Sequence, residues 1–143
     1  MRRMNAMIEA DRVELLADTP AMVHTPSESG LGQKIVRCPY CQVAVWSHYA
    51  GAGPLMAFVR VGTLDTPDHL PPDIHIFTAS KQPWVVLPPG TPAVAEYYDR
   101  EALWPAASLA RRQSLTALFL DRDGDQFRET RVGDLFNTPA ESA

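Results

Sequence analysis

The chain has 143 residues, 2 cysteines and a formal net charge of −4. That length fits one domain, and 45% apolar residues are enough for a hydrophobic core, so disorder is not the default. Scattered Lys and Arg on a mildly acidic chain exclude a nucleic-acid stripe, and no apolar run is long enough to span a membrane.

Proline is unusually frequent, at 13 residues. Its ring removes a backbone donor and clashes with the preceding helical turn. Between Pro20 and Pro92 no proline-free run is long enough for a bundle helix, so this part is expected to be built from strands and loops. Charges follow soon after Met7, which leaves no apolar signal-peptide core. A cytoplasmic location is expected.

Residues 5–17 fit a short helix or two strands, and the alternation of Val13, Leu15 and Ala17 leans toward a strand. Met22–Thr25 is a further strand, stopped by Pro26, and residues 27–32 form a polar turn. Gln33–Arg37 runs into Cys38-Pro39-Tyr40-Cys41. Val43–Tyr49 leaves it as a β-branched and aromatic strand, and residues 50–54 form a turn. Leu55–Leu64 is the most apolar strand, and Ile74–Thr78 is another. After Pro92 the composition shifts to Ala, Leu, Arg and Glu. Ala106–Leu115 is predicted to be helical, with Pro105 in its permitted first turn. Asp123-Gly124 signals a turn in a hairpin or irregular tail, and residues 137–143 are expected to be unstructured.

Cys38 and Cys41 carry the sharpest chemical signal. Two thiols three positions apart on a tight turn supply half of a tetrahedral zinc site, and strand–turn–strand is the zinc-knuckle setting. A thioredoxin-like redox pair should open a helix, and the strand beginning at Val43 argues against it. Two ordinary structural thiols are the plain alternative. No other cysteine exists, and His24, His48, His69 and His75 are not spaced as a second knuckle. His75, between two isoleucines, reads as a satisfied or exposed polar residue. His69 reads as a surface loop residue. Asp121, Asp123 and Asp125 superficially suggest a calcium loop, but the glycine falls too early and Val132 stands where the bidentate Glu belongs. Trp84 and Trp104 are expected to pack, and Arg111-Arg112 to lie on a solvated helix face.

The ordered pattern of Cys38-Pro39-Tyr40-Cys41, Val45-Trp46-Ser47, Val61-Gly62-Thr63-Leu64-Asp65, Pro72-Asp73-Ile74-His75-Ile76-Phe77 and Ser80-Lys81-Gln82-Pro83-Trp84 resembles the glutathione-dependent formaldehyde-activating enzymes. Centromere protein V shares their domain. The resemblance implies a mainly β, Mss4-like antiparallel fold with a zinc-knuckle hairpin, followed by a C-terminal helical segment. It divides the chain into a partial β domain over residues 1–92 and a helical and irregular extension over residues 93–143.

The activity implied is that of a zinc-dependent carbon–sulfur lyase. It joins formaldehyde to glutathione as S-hydroxymethylglutathione, or acts on a related thiol adduct. Family members hold a four-thiolate structural zinc and a three-thiolate catalytic zinc. Only Cys38 and Cys41 match, as half of the structural site. The resemblance therefore implies an N-terminally shortened chain with impaired activity, for which a start codon assigned too late is one source. No catalytic residue is assigned; His75, Lys81 and Trp84 match the pattern without a role. The alternative is a non-catalytic metal-binding or interaction module, including a homodimer whose copies each offer Cys38 and Cys41 to one metal.

Overall fold

A computed structural model describes residues 4–27 and 30–122. Five strands form one antiparallel sheet: β1 (Asn5–Glu9), β2 (Ala21–Thr25), β3 (Gln33–Arg37), β4 (Ala44–Tyr49) and β5 (Met56–Arg60). Their spatial order is β1-β5-β4-β3-β2. Two C-terminal helices follow, α1 (Arg100–Leu103) and α2 (Ala106–Arg122). The protein is mainly β with a C-terminal helix, as the sequence predicts.

Two rungs show how strand alternation builds the sheet. Val23, Ile35, Ser47, Phe58 and Met7 align across all five strands. One step along, Met22, Val36, Trp46, Val59 and Ala6 do the same on the opposite face. The buried apolar residues Ile35, Val36, Met56 and Ala57 lie on inner strands, with Ala50 and Val61 just beyond them. Edge strand β2 has a neighbour on one side only, and its Met22 and Val23 stay exposed.

A polar lock joins β1, β4 and β5. Arg60, 8% exposed, donates from Nη2 to the fully buried Ser47 Oγ at 2.6 Å and from Nη1 to Asn5 Oδ1. Among the described residues, its guanidinium has no carboxylate partner within ion-pair distance. The Met7 face of β1 is met by the C-terminal segment. The Tyr98 hydroxyl lies 3.9 Å from Met7 Sδ and accepts from Trp104 Nε1 at 3.0 Å. Arg111 of α2 pairs with Glu9 at 3.1 Å.

Several sequence expectations change. The first strand is Asn5–Glu9, and Val13–Ala17 is not a strand. Ala6 and Ile8 carry the alternation against β5, and a 3-10 turn at Ala10–Arg12 ends it. The apolar strand stops at Arg60, because a 3-10 turn at Val61–Thr63 bends the chain away. Ile74–Thr78 is not a strand either. A single parallel bridge joins His75 to Ala93, and Phe77 is left-handed at φ 55°. The donors of His75, Phe77, Thr78 and Ala79 are all used, bonding to carbonyls of residues 92–96, but the left-handed turn at Phe77 breaks the regular alternation of a ladder.

Pro105 stands just before α2, where Ser108 and Leu109 donate to its carbonyl at 2.9 and 3.1 Å. Trp104 packs as expected. Trp84 does not pack, being 79% exposed. Arg111 is exposed but ion-paired, and Arg112 is half-buried, so this helix face is not simply solvated. The Asp123-Gly124 turn, the chelating pattern through Asp125 and residues 137–143 fall outside the described residues.

Candidate functional site

Cys38 and Cys41 sit on the turn joining β3 to β4. Cys38 N–H donates to Val43 O at 2.9 Å, and Gln42 N–H donates to Cys38 O at 3.0 Å. Closing so short a loop needs one residue at positive φ, and Gln42 takes it at 59°. Two bonds hold Gln42 there. Its Nε2 donates to Pro39 O at 3.0 Å, and Arg37 Nη1 donates to Gln42 O at 2.9 Å. Directly beyond the turn Val45 is an extra residue, since Val36 pairs with Trp46 and Arg37 with Ala44. Such a bulge bends the strand and re-aims what leads into it.

Both thiols are free, Cys38 half-buried and Cys41 exposed. The Cys41 backbone N–H, then that of Tyr40, then the Cys41 side chain point at the Cys38 sulfur and hold its thiol below the usual range. Donors aimed at sulfur favour thiolate, the form that binds metal or attacks an electrophile. Tyr40 donates its hydroxyl to Asp18, which raises the Tyr40 phenol and ties the segment after β1 to the turn.

The histidines do not join this site. His24, Lys34 and His48 form a row across β2, β3 and β4 beside a shallow notch. His48 is spoken for: Nε2 accepts from Trp46 Nε1 at 3.2 Å, so in the neutral ring Nδ1 carries the proton toward Met56 O at 2.9 Å. His69 is exposed in its loop, and His75 is half-buried with Nε2 unpartnered among the described residues. Lys81 donates to its own loop at Val85 O, 2.9 Å away.

Among the described residues, no group of three or more His, Cys, Asp or Glu side chains gathers as a metal site. The donor set present is two thiols, which fits half of a tetrahedral zinc shell and no closed one. It does not fit a three-thiolate catalytic zinc. Gln42 and the Asp18–Tyr40 bond are site features that sequence reasoning missed. The need for a left-handed residue after a Cys-x-x-Cys turn could have flagged Gln42; nothing in the sequence flags Asp18.

The family profile of the glutathione-dependent formaldehyde-activating enzymes matches residues 1–80, more than half of the chain. The chain belongs to this family. No curated protein and no solved structure matches it. Within this member of the glutathione-dependent formaldehyde-activating enzymes, the matched residues include the whole sheet and the Cys38–Cys41 turn. They end at Ser80, before α1 and α2 begin. Among the described residues, no helix is long and apolar enough to cross a membrane.

Proposed function

We propose that this chain is a carbon–sulfur lyase-type domain that binds glutathione or its formaldehyde adduct and is impaired in turnover. In the forward reaction the glutathione sulfur attacks the formaldehyde carbon, a C–S bond forms, and the thiol proton ends on the new hydroxyl oxygen. The reverse reaction breaks that bond. The family match over residues 1–80 is the observation that carries this reading. We tie the impairment to the donors within residues 1–143, where two cysteines supply half of one family zinc site.

Cys38 and Cys41 are the residues that would hold zinc, as a half site in a knuckle hairpin of Mss4-like type. A bound zinc would supply Lewis acidity and stabilise thiolate. What the chain's own residues do is hold Cys38 as an acceptor of two backbone N–H groups and keep Cys41 open to solvent. We assign residues 1–92 as the β domain and residues 93–143 as an extension, in a cytoplasmic protein without nucleic-acid or membrane partners.

The test is exchange spectroscopy of glutathione with formaldehyde, with and without the full chain. The expected result is perturbed glutathione resonances with an exchange rate no faster than the spontaneous reaction. Strong acceleration would remove the claim of impairment. No interaction with glutathione would remove the lyase reading in favour of a non-catalytic metal-binding or interaction module.

A further inference from the structure

Arg60 is a buried cation answered only by neutral groups. The residue is 8% exposed, its Nη2 donates to Ser47 Oγ at 2.6 Å and its Nη1 donates to Asn5 Oδ1. Among the described residues no carboxylate pairs with it. A charge taken out of water is costly unless an opposite charge or several hydrogen bonds compensate it. A guanidinium carries five N–H donors, and these two bonds use two of them. The group that its planar fork matches best is a carboxylate or a similar oxyanion.

We propose that Arg60, held in place by Ser47, binds a carboxylate group of glutathione or of its formaldehyde adduct. The proposal rests on the glutathione reading given above, and it uses neither cysteine and no metal. Besides the missing counter-charge, two observations carry it.

The two partners of the guanidinium differ in burial. Ser47 is fully buried, so it anchors Nη2. Asn5 is exposed and opens edge strand β1, so Nη1 faces an acceptor that is free to leave. A carboxylate oxygen takes the place of Asn5 Oδ1 on Nη1, and the Asn5 amide turns to water. The exchange swaps a neutral acceptor for an anionic one, and hydrogen bonds to ionised groups are the stronger kind. The register also groups these residues. Asn5 pairs with Arg60, and Ser47 pairs with Phe58 two positions earlier on β5, so all lie on one face. Met7 and Phe58, both half-buried, adjoin them on that face. They give the apolar stems of a peptide ligand something to rest on.

The experiment is titration of the full chain with glutathione and with glutathione diethyl ester, in which both carboxylates are blocked. Binding is read by calorimetry and by the Arg60 side-chain N–H resonances. Glutathione should shift those resonances and the diethyl ester should not, which tests the site in the unaltered chain. The double variant Ser47→Ala with Arg60→Met replaces both partners by apolar groups and should keep its far-UV circular dichroism. It should bind glutathione about tenfold or more weakly, the loss expected for one hydrogen bond between charged groups. The diethyl ester should bind the parent chain and the double variant alike. Asn5→Ala should bind glutathione at least as tightly as the parent chain, because it removes the competing acceptor.

Equal affinity of parent chain and double variant for glutathione would overturn the role of Arg60 and leave the glutathione reading intact. A diethyl ester that binds the parent chain as tightly as glutathione, or that shifts the Arg60 resonances equally, would show that no carboxylate is held there. Asn5→Ala binding as weakly as the double variant would overturn the exchange of acceptors. No binding of glutathione to the parent chain would remove both this site and the reading it rests on.

Discussion

Replacing Ser47 by Ala tests whether the buried polar lock holds the sheet. Ser47 is fully buried and accepts the Arg60 guanidinium at 2.6 Å, while Arg60 is itself 8% exposed. Alanine fills nearly the same space, so the perturbation is chemical and leaves little cavity. It removes a hydrogen bond to a charged donor that water cannot easily replace, which costs about 1.5–3 kcal/mol. Arg60→Met removes the charge instead and leaves the Ser47 hydroxyl unpartnered, at about 1–3 kcal/mol. Asn5 adds little to that cost, because it is exposed and water can satisfy it. The double variant replaces both partners by apolar groups and should lie within about 1 kcal/mol of the parent chain. Urea unfolding followed by circular dichroism reads all four corners of the cycle. Ser47→Ala within about 0.5 kcal/mol of the parent would refute the reasoning, because that is the range of an inert surface change. A double variant as damaged as the summed singles would refute it as well.

Three further outcomes follow from the site and its surroundings. Cys38 should alkylate with iodoacetamide at a midpoint pH below that of an ordinary thiol, and Cys41→Ala, which removes the side-chain donor, should raise that midpoint only part-way, since the backbone donors remain. A thiol held low in the folded state contributes stability that is full above its unfolded pKa and lost as pH falls through the lowered value, so stability and reactivity should change over the same pH range. Gly32→Ala should destabilise by about 1–2 kcal/mol, because L residues are disfavoured at positive φ. Gly32 has φ +71°, and its new Cβ would meet the His24 imidazole, so the His24 ring resonances should shift. Trp84→Ala should leave thermal stability unchanged and remove a solvent-exposed fluorophore, because its ring is 79% exposed.

The strands around the cysteine turn were legible because their pattern is local. Gln33–Arg37 and the strand into Tyr49 carry β-branched or aromatic residues on either side of the Cys38–Cys41 turn, and both formed close to their expected bounds. Ile74–Thr78 has the same local character and did not become a strand, because Phe77 turns left-handed and its donors and those of Thr78 and Ala79 reach residues 94–96 out of ladder order. Trp84 matches the family pattern, yet its exposure depends on which element covers it. Arg60 was read only as part of an apolar strand. Its burial depends on Asn5 and Ser47, which lie 55 and 13 residues away.

By itself the sequence determines a mainly β chain, punctuated by proline, with two thiols on one turn. These are matters of composition and of near neighbours, where sterics and spacing suffice. Tertiary structure decided the order β1-β5-β4-β3-β2, the placing of Arg111 on Glu9 and Trp104 on Tyr98, and the separation of every histidine from the cysteine turn. Those depend on strand register and on which faces meet, and a register shift of one residue would send each side chain to the opposite face.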